Sequence, residues 1–323
     1  MIKFEYMHIK DKHHKYSNIK IIIAILFYLL NINLSFAQNN LDKLNKAGNN
    51  YIISLAPNIT ELIYEANAQD FLLGVSIYSN YPKLAQSVDI TSDFQSVYIE
   101  KIVLIIKKLK LERKNYNDKF YALAWKGGTP KNFVDILEKH NIKTIWLSTN
   151  STNDVLTNLF IIYNLTSHNQ NNQNLNSSNN HQCAKQGLSL DLNCIYVKDF
   201  ALKLAYIIYS TKQKYADLIP KTYFYPIWHT PLMTIFGNNY TDSLLSNCNI
   251  YNIFKFNKTA MVNPESLINY NPDIIIYTDK NYLSKLDSRY IKNYKGINLN
   301  ADLLVRGTGR SILALPDTCT KIR

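Results

Sequence analysis

Residues 195–216 contain neither Pro nor Gly, and Val197, Phe200, Ala201, Leu204, Ile207 and Ile208 recur there at helical spacing. A helix over this stretch is about 30 Å long or a little more, at 1.5 Å per residue. On either side of it, short apolar runs alternate with amphipathic ones. That order constrains the chain to an α/β fold: two Rossmann-like lobes with central sheets, joined by one long, stiff helix.

In the first block, residues 51–55, 71–75, 120–124 and 144–147 read as strands, and 99–109 and 131–140 as helices. Asn58-Ile59-Thr60-Glu61 has the N-cap and acidic N3 pattern, which starts a helix at Asn58. In the second block, 222–225, 233–236 and 273–278 read as strands, and 242–248, 264–270 and 282–294 as helices. A last short helix, 311–315, is expected to end at Pro316. Residues 164–180 are nearly all Asn, Gln, Ser and Leu without an apolar period, so 164–194 is expected to be a flexible insertion. The first lobe then covers 50–163, the linking helix 195–218 and the second lobe 219–323.

Lys3, Lys10, Lys12, Lys15 and Lys20 precede an apolar run at 21–30, followed by Ser35-Phe36-Ala37. These are the parts of a secretory signal peptide over residues 1–37, cleaved before Gln38, and they imply a periplasmic protein. The rival is an uncleaved membrane anchor, although the run is short for a span. Four Cys follow, at 183, 194, 248 and 319, none in CxxC spacing. In an exported chain an even number suggests disulfides, and four Cys allow three pairings.

The formal charge is +12, but the basic residues are scattered apart from Lys107, Lys108, Lys110, Arg113 and Lys114. No nucleic-acid-binding pattern accompanies that cluster, which reads as a solvated face. The Lys and Asn content reads largely as an AT-rich coding bias. Neither GxSxG nor HExxH occurs, and no Ser/His/Asp set suggests catalysis, so no catalytic or metal residue is assigned and no enzyme is expected. His229, a lone His, reads as a polar or core residue. Gly307-Thr308-Gly309-Arg310-Ser311 lacks the Lys and spacing of a phosphate loop and reads as a turn into a helix.

Several ordered motifs resemble one family. They are Ser54-Leu55-Ala56-Pro57-Asn58-Ile59-Thr60-Glu61; Gly74-Val75 with Tyr78-Ser79-Asn80-Tyr81-Pro82; Ala124-Trp125-Lys126-Gly127-Gly128; Asn263-Pro264-Glu265-Ser266-Leu267 with Asn271-Pro272-Asp273-Ile274-Ile275; and Asp302, Arg306 and Arg310. Together they span most of residues 50–320 and are similar to the helical-backbone, cluster-A substrate-binding proteins of ABC importers. The "AWRGG"-like segment leans toward the members that bind vitamin B12. The resemblance implies a monomer that captures a corrinoid between its lobes, uses no cofactor, and delivers the ligand to a membrane permease. Alternatives are haem or a ferric siderophore in the same fold, or an enzyme or adhesin on the same scaffold. Haem-binding members use a Tyr at the position of Tyr81 as an iron ligand.

A corrinoid is flat, partly apolar and fringed with amides, and suits a cleft of aromatic faces and hydrogen-bonding groups. The resemblance places Tyr78, Tyr81, Phe94, Gln95 and Trp125 on the ligand from the first lobe, with Gly127 and Gly128 allowing close backbone approach. From the second lobe it places Trp228, Asp302 and Arg306 there. Ala260 and Met261 stand where the family has a Trp. Glu100 and Glu265, at the starts of equivalent helices, correspond to acids that meet Arg pockets on the permease. The family also pairs Cys at the positions of Cys248 and Cys319, which leaves Cys183 and Cys194 to pair locally.

Overall fold

The computed structural model describes residues 49–113, 117–167, 192–256, 259–279 and 294–323. The expected signal peptide, most of the Asn-rich segment and the expected helix at 282–294, apart from Tyr294, lie outside them.

The first lobe runs β1 (Asn50–Ser54), α1 (Pro57–Glu65), β2 (Leu72–Ser76), β3 (Ile90–Ser92), α2 (Ile99–Arg113), β4 (Lys119–Trp125), α3 (Lys131–Lys139), β5 (Lys143–Leu147) and α4 (Thr152–Ser167). Its strands form one parallel sheet in the order β3-β2-β1-β4-β5. Every residue of β1 is buried, because helices cover both faces of the sheet. Tyr51, Ile53, Phe120 and Ala122 face a core closed by Ile102 of α2 and by Phe133 and Leu137 of α3.

Helix α1 does not begin as the sequence suggests. Pro57 takes its first turn, Ala56 is the N-cap without a side-chain bond, and Asn58 lies buried inside the helix. Proline's fixed φ and missing N–H suit that first turn, and this outweighs the Asn signal. Helix α4 is a second correction. The apolar positions Val155, Leu156, Leu159, Phe160, Ile162 and Leu165 are buried along it, so Asn164–Ser167 belong to a packed helix rather than to an insertion.

Helix α5 (Leu192–Tyr215) has 24 residues and starts three residues before the expected point. Its length is about 36 Å. It buries Cys194, Val197, Ala201 and Leu204 at helical spacing. Cys194 is disulfide-bonded; Cys183, its expected partner, lies outside the described residues.

The second lobe follows as β6 (Lys221–Phe224), β7 (Pro226–His229), β8 (Leu232–Thr234), α6 (Tyr240–Ser246), β9 (Ile250–Asn252), α7 (Pro264–Tyr270), β10 (Ile274–Tyr277), β11 (Lys295–Asn298), α8 (Ala301–Val305), α9 (Gly309–Leu313) and α10 (Leu315–Ile322). A parallel sheet has the order β11-β10-β6-β9, and β7–β8 is a separate antiparallel hairpin. Pro316 does not end the chain's last helix. It sits in the first turn of α10, where a proline is tolerated, so a further helix follows α9. Both α9 and α10 pack on α5, as α4 does, so the long helix is clasped by elements from both sides. Cys248 and Cys319 form a disulfide with Cα atoms 5.3 Å apart, tying α10 to the end of α6.

Asparagine does more here than coding bias requires. Asn239, Asn263 and Asn300 cap α6, α7 and α8, each side chain accepting a backbone N–H. Among the described residues, four of the five non-glycine residues with positive φ are Asn67, Asn141, Asn249 and Asn271. In a chain with nine glycines, asparagine takes over left-handed positions that glycine commonly fills.

Candidate functional site

In open parallel sheets, ligands meet the loops at the carboxyl ends of the strands, at the point where strand order reverses. In the first lobe that point lies between β1 and β4. The loops after β2, β3 and β4 carry the candidate residues of this lobe.

The loop after β2 is anchored from below by hydroxyls. The Ser79 hydroxyl lies 2.9 Å from Thr60 Oγ1 and 3.2 Å from Ser76 Oγ, and Thr60 Oγ1 donates to Ser54 Oγ at 2.8 Å. Above this buried chain, Tyr78 adopts φ +67°, an unusual conformation for an aromatic residue, and stands 68% exposed. Tyr81 is 42% exposed and precedes a cis proline.

Phe94 (70% exposed) and Gln95 sit in a turn organised by Asp93. The Asp93 carboxylate accepts from Tyr98 Oη at 2.7 Å and from the Gln95 and Ser96 backbone N–H groups. The Tyr98 hydroxyl first, and then these N–H groups, hold its pKa below the usual carboxylate value.

Trp125 ends β4, and its indole Nε1 is buried with no hydrogen-bond partner. A Cβ on Gly128 would run into the indole, and one on Gly127 would come within 3.1 Å of it. The room these glycines leave is thus taken by the protein's own tryptophan, which folds back over the loop.

Trp228 lies within strand β7 of the hairpin rather than in a free loop, and is 53% exposed. Its Nε1 donates to Thr230 O at 2.9 Å, and its ring lies 5.5 Å from that of His229. Met261 is exposed and bridges to Met233 of the same hairpin. Among the described residues, no ring–ring contact joins Trp228 to Tyr78, Phe94 or Trp125.

Asp302 and Arg306 belong to a network that crosses between the lobes. At its centre is Glu61 of α1, 0% exposed. Arg306 Nη1 donates to Glu61 Oε1 at 2.6 Å and to Asn80 Oδ1 at 2.9 Å, while its Nε pairs with Asp302 at 3.0 Å. Arg310 donates from Nε and Nη2 to the two Glu61 oxygens at 3.0 and 2.8 Å. Its guanidinium carbon lies 3.9 Å from the centre of the Tyr81 ring. Thr308 Oγ1 donates to Glu61 Oε2 at 3.2 Å.

One turn along α1, Glu65 accepts the backbone N–H groups of Gly309 and Arg310, each at 2.8 Å. Burial pushes the Glu65 carboxyl up to about 7, against the opposing pull of those two N–H groups. Glu61, Glu65 and Arg310 carry this contact without having been assigned a place in the site. The available signal was a carboxylate at position 61 inside the apolar run 59–63, which only a partner from elsewhere could neutralise.

A second lobe–lobe contact is neutral. The Thr152 backbone N–H donates to Ser243 Oγ at 3.0 Å, beside a polar cavity of about 460 Å³ lined by Asn150, Asp154, Asn239, Tyr251, Asn252 and Lys255 among others. Glu100 and Glu265 are both exposed in the first turns of α2 and α7, one in each lobe. No cluster of metal-ligating side chains occurs among the described residues, and no described helix is long and apolar enough to cross a membrane.

No family model matches the chain. It is 25% identical over 278 residues to the vitamin B12-binding protein of Vibrio campbellii, covering 83% of this chain and 87% of that protein. The vitamin B12-binding protein of Photorhabdus laumondii is likewise 25% identical over 280 residues, covering 84% and 87%. Among solved structures, the periplasmic vitamin B12-binding protein of Vibrio cholerae superposes with a TM-score of 0.67 at 22% identity, over 86% of this chain and 98% of that one. A periplasmic heme-binding protein from Roseiflexus gives 0.62 at 13% identity, over 85% and 98%. These relatives are binding proteins rather than enzymes. Along most of its length the chain thus shares the two-lobed α/β fold of these binding proteins.

Proposed function

We propose that this protein binds a corrinoid of the vitamin B12 class between its lobes in the periplasm and passes it to the permease of an ABC importer. The observation that carries this reading is the similarity to vitamin B12-binding proteins over about five-sixths of the chain. The exposed rings support it. Tyr78, Tyr81 and Phe94 in one lobe and Trp228 in the other offer faces for a large flat ligand, and partly buried Trp125 ends β4 of the first lobe. In this reading Gln95, Asp302 and Arg306 flank the ligand, and Gly127 and Gly128 serve it indirectly by seating Trp125. No cofactor is required.

The protein acts as a monomer and docks through Glu100 and Glu265, whose paired acids orient it on a basic permease surface. ATP hydrolysis belongs to the transporter. Because α5 is clasped from both sides, closure around the ligand is small.

A second reading, haem binding, draws on Tyr81 and on structural neighbours named as heme-binding. Titration of the chain from Gln38 onward with cyanocobalamin and with haemin, followed by calorimetry and visible spectra, separates the two. One-to-one cobalamin binding without a haem band shift is expected. Haem binding abolished by Tyr81→Ala, with no cobalamin heat, would replace the corrinoid reading.

A further inference from the structure

Asn80 and Tyr81 lie at the tip of the loop after β2, beyond its hydroxyl anchor at Ser79. Among the described residues, the side-chain ties recorded for both run to the other lobe: Arg306 to Asn80, and Arg310 to Tyr81. Arg310 is itself tightly defined. Two of its guanidinium nitrogens bond the two oxygens of fully buried Glu61, and its backbone N–H bonds Glu65. A two-point fork of this kind fixes the position of a guanidinium, and a ring whose face lies against it is held with it. One face of Tyr81 is therefore closed by a cation, and its 42% exposure belongs to what remains.

We infer that Arg310 is a positioning residue: from the second lobe it holds Tyr81 as a one-sided stacking platform and pre-sets the loop that meets the ligand. This rests on the reading of the cleft as a corrinoid site. Its physical content is pre-organisation. A loop that samples other conformations binds with an affinity reduced by the fraction of time it is competent. A loop clamped by Arg310 avoids that loss. A lysine keeps the charge toward Glu61 but has neither the fork nor the flat face.

The test compares Arg310→Ala and Arg310→Lys with the parent, using two readouts. The first is amide hydrogen exchange at residues 77–81 in the ligand-free protein. The second is the association and dissociation rates of cyanocobalamin. Faster exchange at 77–81 is expected in both variants, with cyanocobalamin affinity about tenfold weaker in Arg310→Ala, seen mainly as slower association. The lysine variant should fall between, with a melting temperature near that of the parent; it carries the comparison alone if the alanine variant does not fold. Unchanged exchange at 77–81 would overturn the inference whatever the affinity. Faster exchange with unchanged affinity would also overturn it, since the loop would then be held without consequence for the ligand. If the parent itself binds no cyanocobalamin, the corrinoid reading fails instead, and the exchange comparison still decides whether Arg310 holds the loop.

Discussion

The two lobes meet at contacts of opposite character. Near Tyr81 the junction is ionic: Glu61 is wholly buried and shared by Arg306 and Arg310. Near the polar cavity the junction is a neutral bond from Thr152 to Ser243. A buried carboxylate cannot be left without its cations, whereas a serine hydroxyl at a wet pocket can exchange its partner for water. Losing a partner is therefore costlier at the ionic junction than at the neutral one. The difference also bears on ligand capture. The charged junction adjoins the candidate ligand loop, so what joins the lobes there also shapes the rim of the cleft.

Breaking the charged junction should have the largest effect. Glu61→Ala leaves two largely buried guanidinium groups without their shared carboxylate, at a cost of about 3–5 kcal/mol in unfolding free energy. Denaturant unfolding measures it; a loss below about 1 kcal/mol would remove the contrast between the junctions. Glu61→Gln keeps the shape and should cost less.

The next effect is one of pH. Glu65 has a folded pKa of about 7 against an ordinary 4.5, so the native state holds this proton more tightly than the unfolded chain does. Its contribution is most favourable below about pH 4.5 and is lost as pH rises to about 7, by at most roughly 3 kcal/mol. Buried Asp242, also raised, acts in the same direction. Melting temperature should fall between pH 5 and pH 7.5, and Glu65→Gln should flatten that slope. An unaltered slope would mean that Glu65 does not titrate in this window.

The smallest effect is expected at the neutral junction. Ser243→Ala should cost about 1 kcal/mol or less and leave hydrogen exchange at 77–81 unchanged. A cost matching that of Glu61→Ala would show that the two junctions are equally costly to break.

The alternation of apolar runs was enough to read two parallel-sheet lobes and the long helix between them, because strand and helix periods survive in composition. Boundaries failed where two local signals competed. Pro57 displaced the Asn58 cap, Pro316 opened a helix instead of closing one, and the Asn-rich stretch hid the end of α4, whose buried Leu165 is visible only once its neighbours are known. The candidate site was legible as aromatic residues in loops. Asp302 and Arg306 were reached only through the resemblance, and their buried partner Glu61 was not reached at all, because Glu61 and Arg310 are 249 positions apart.

What the sequence by itself determined is the α/β alternation and the long helix between its two blocks, since strand and helix periods follow from interactions within a few residues. The tertiary structure alone decided which charges meet, that Gly127 and Gly128 make room for Trp125, and that Arg310 lies over the Tyr81 ring. Those outcomes depend on packing between distant segments, where burial turns a carboxylate that water would have screened into one that must find its arginines.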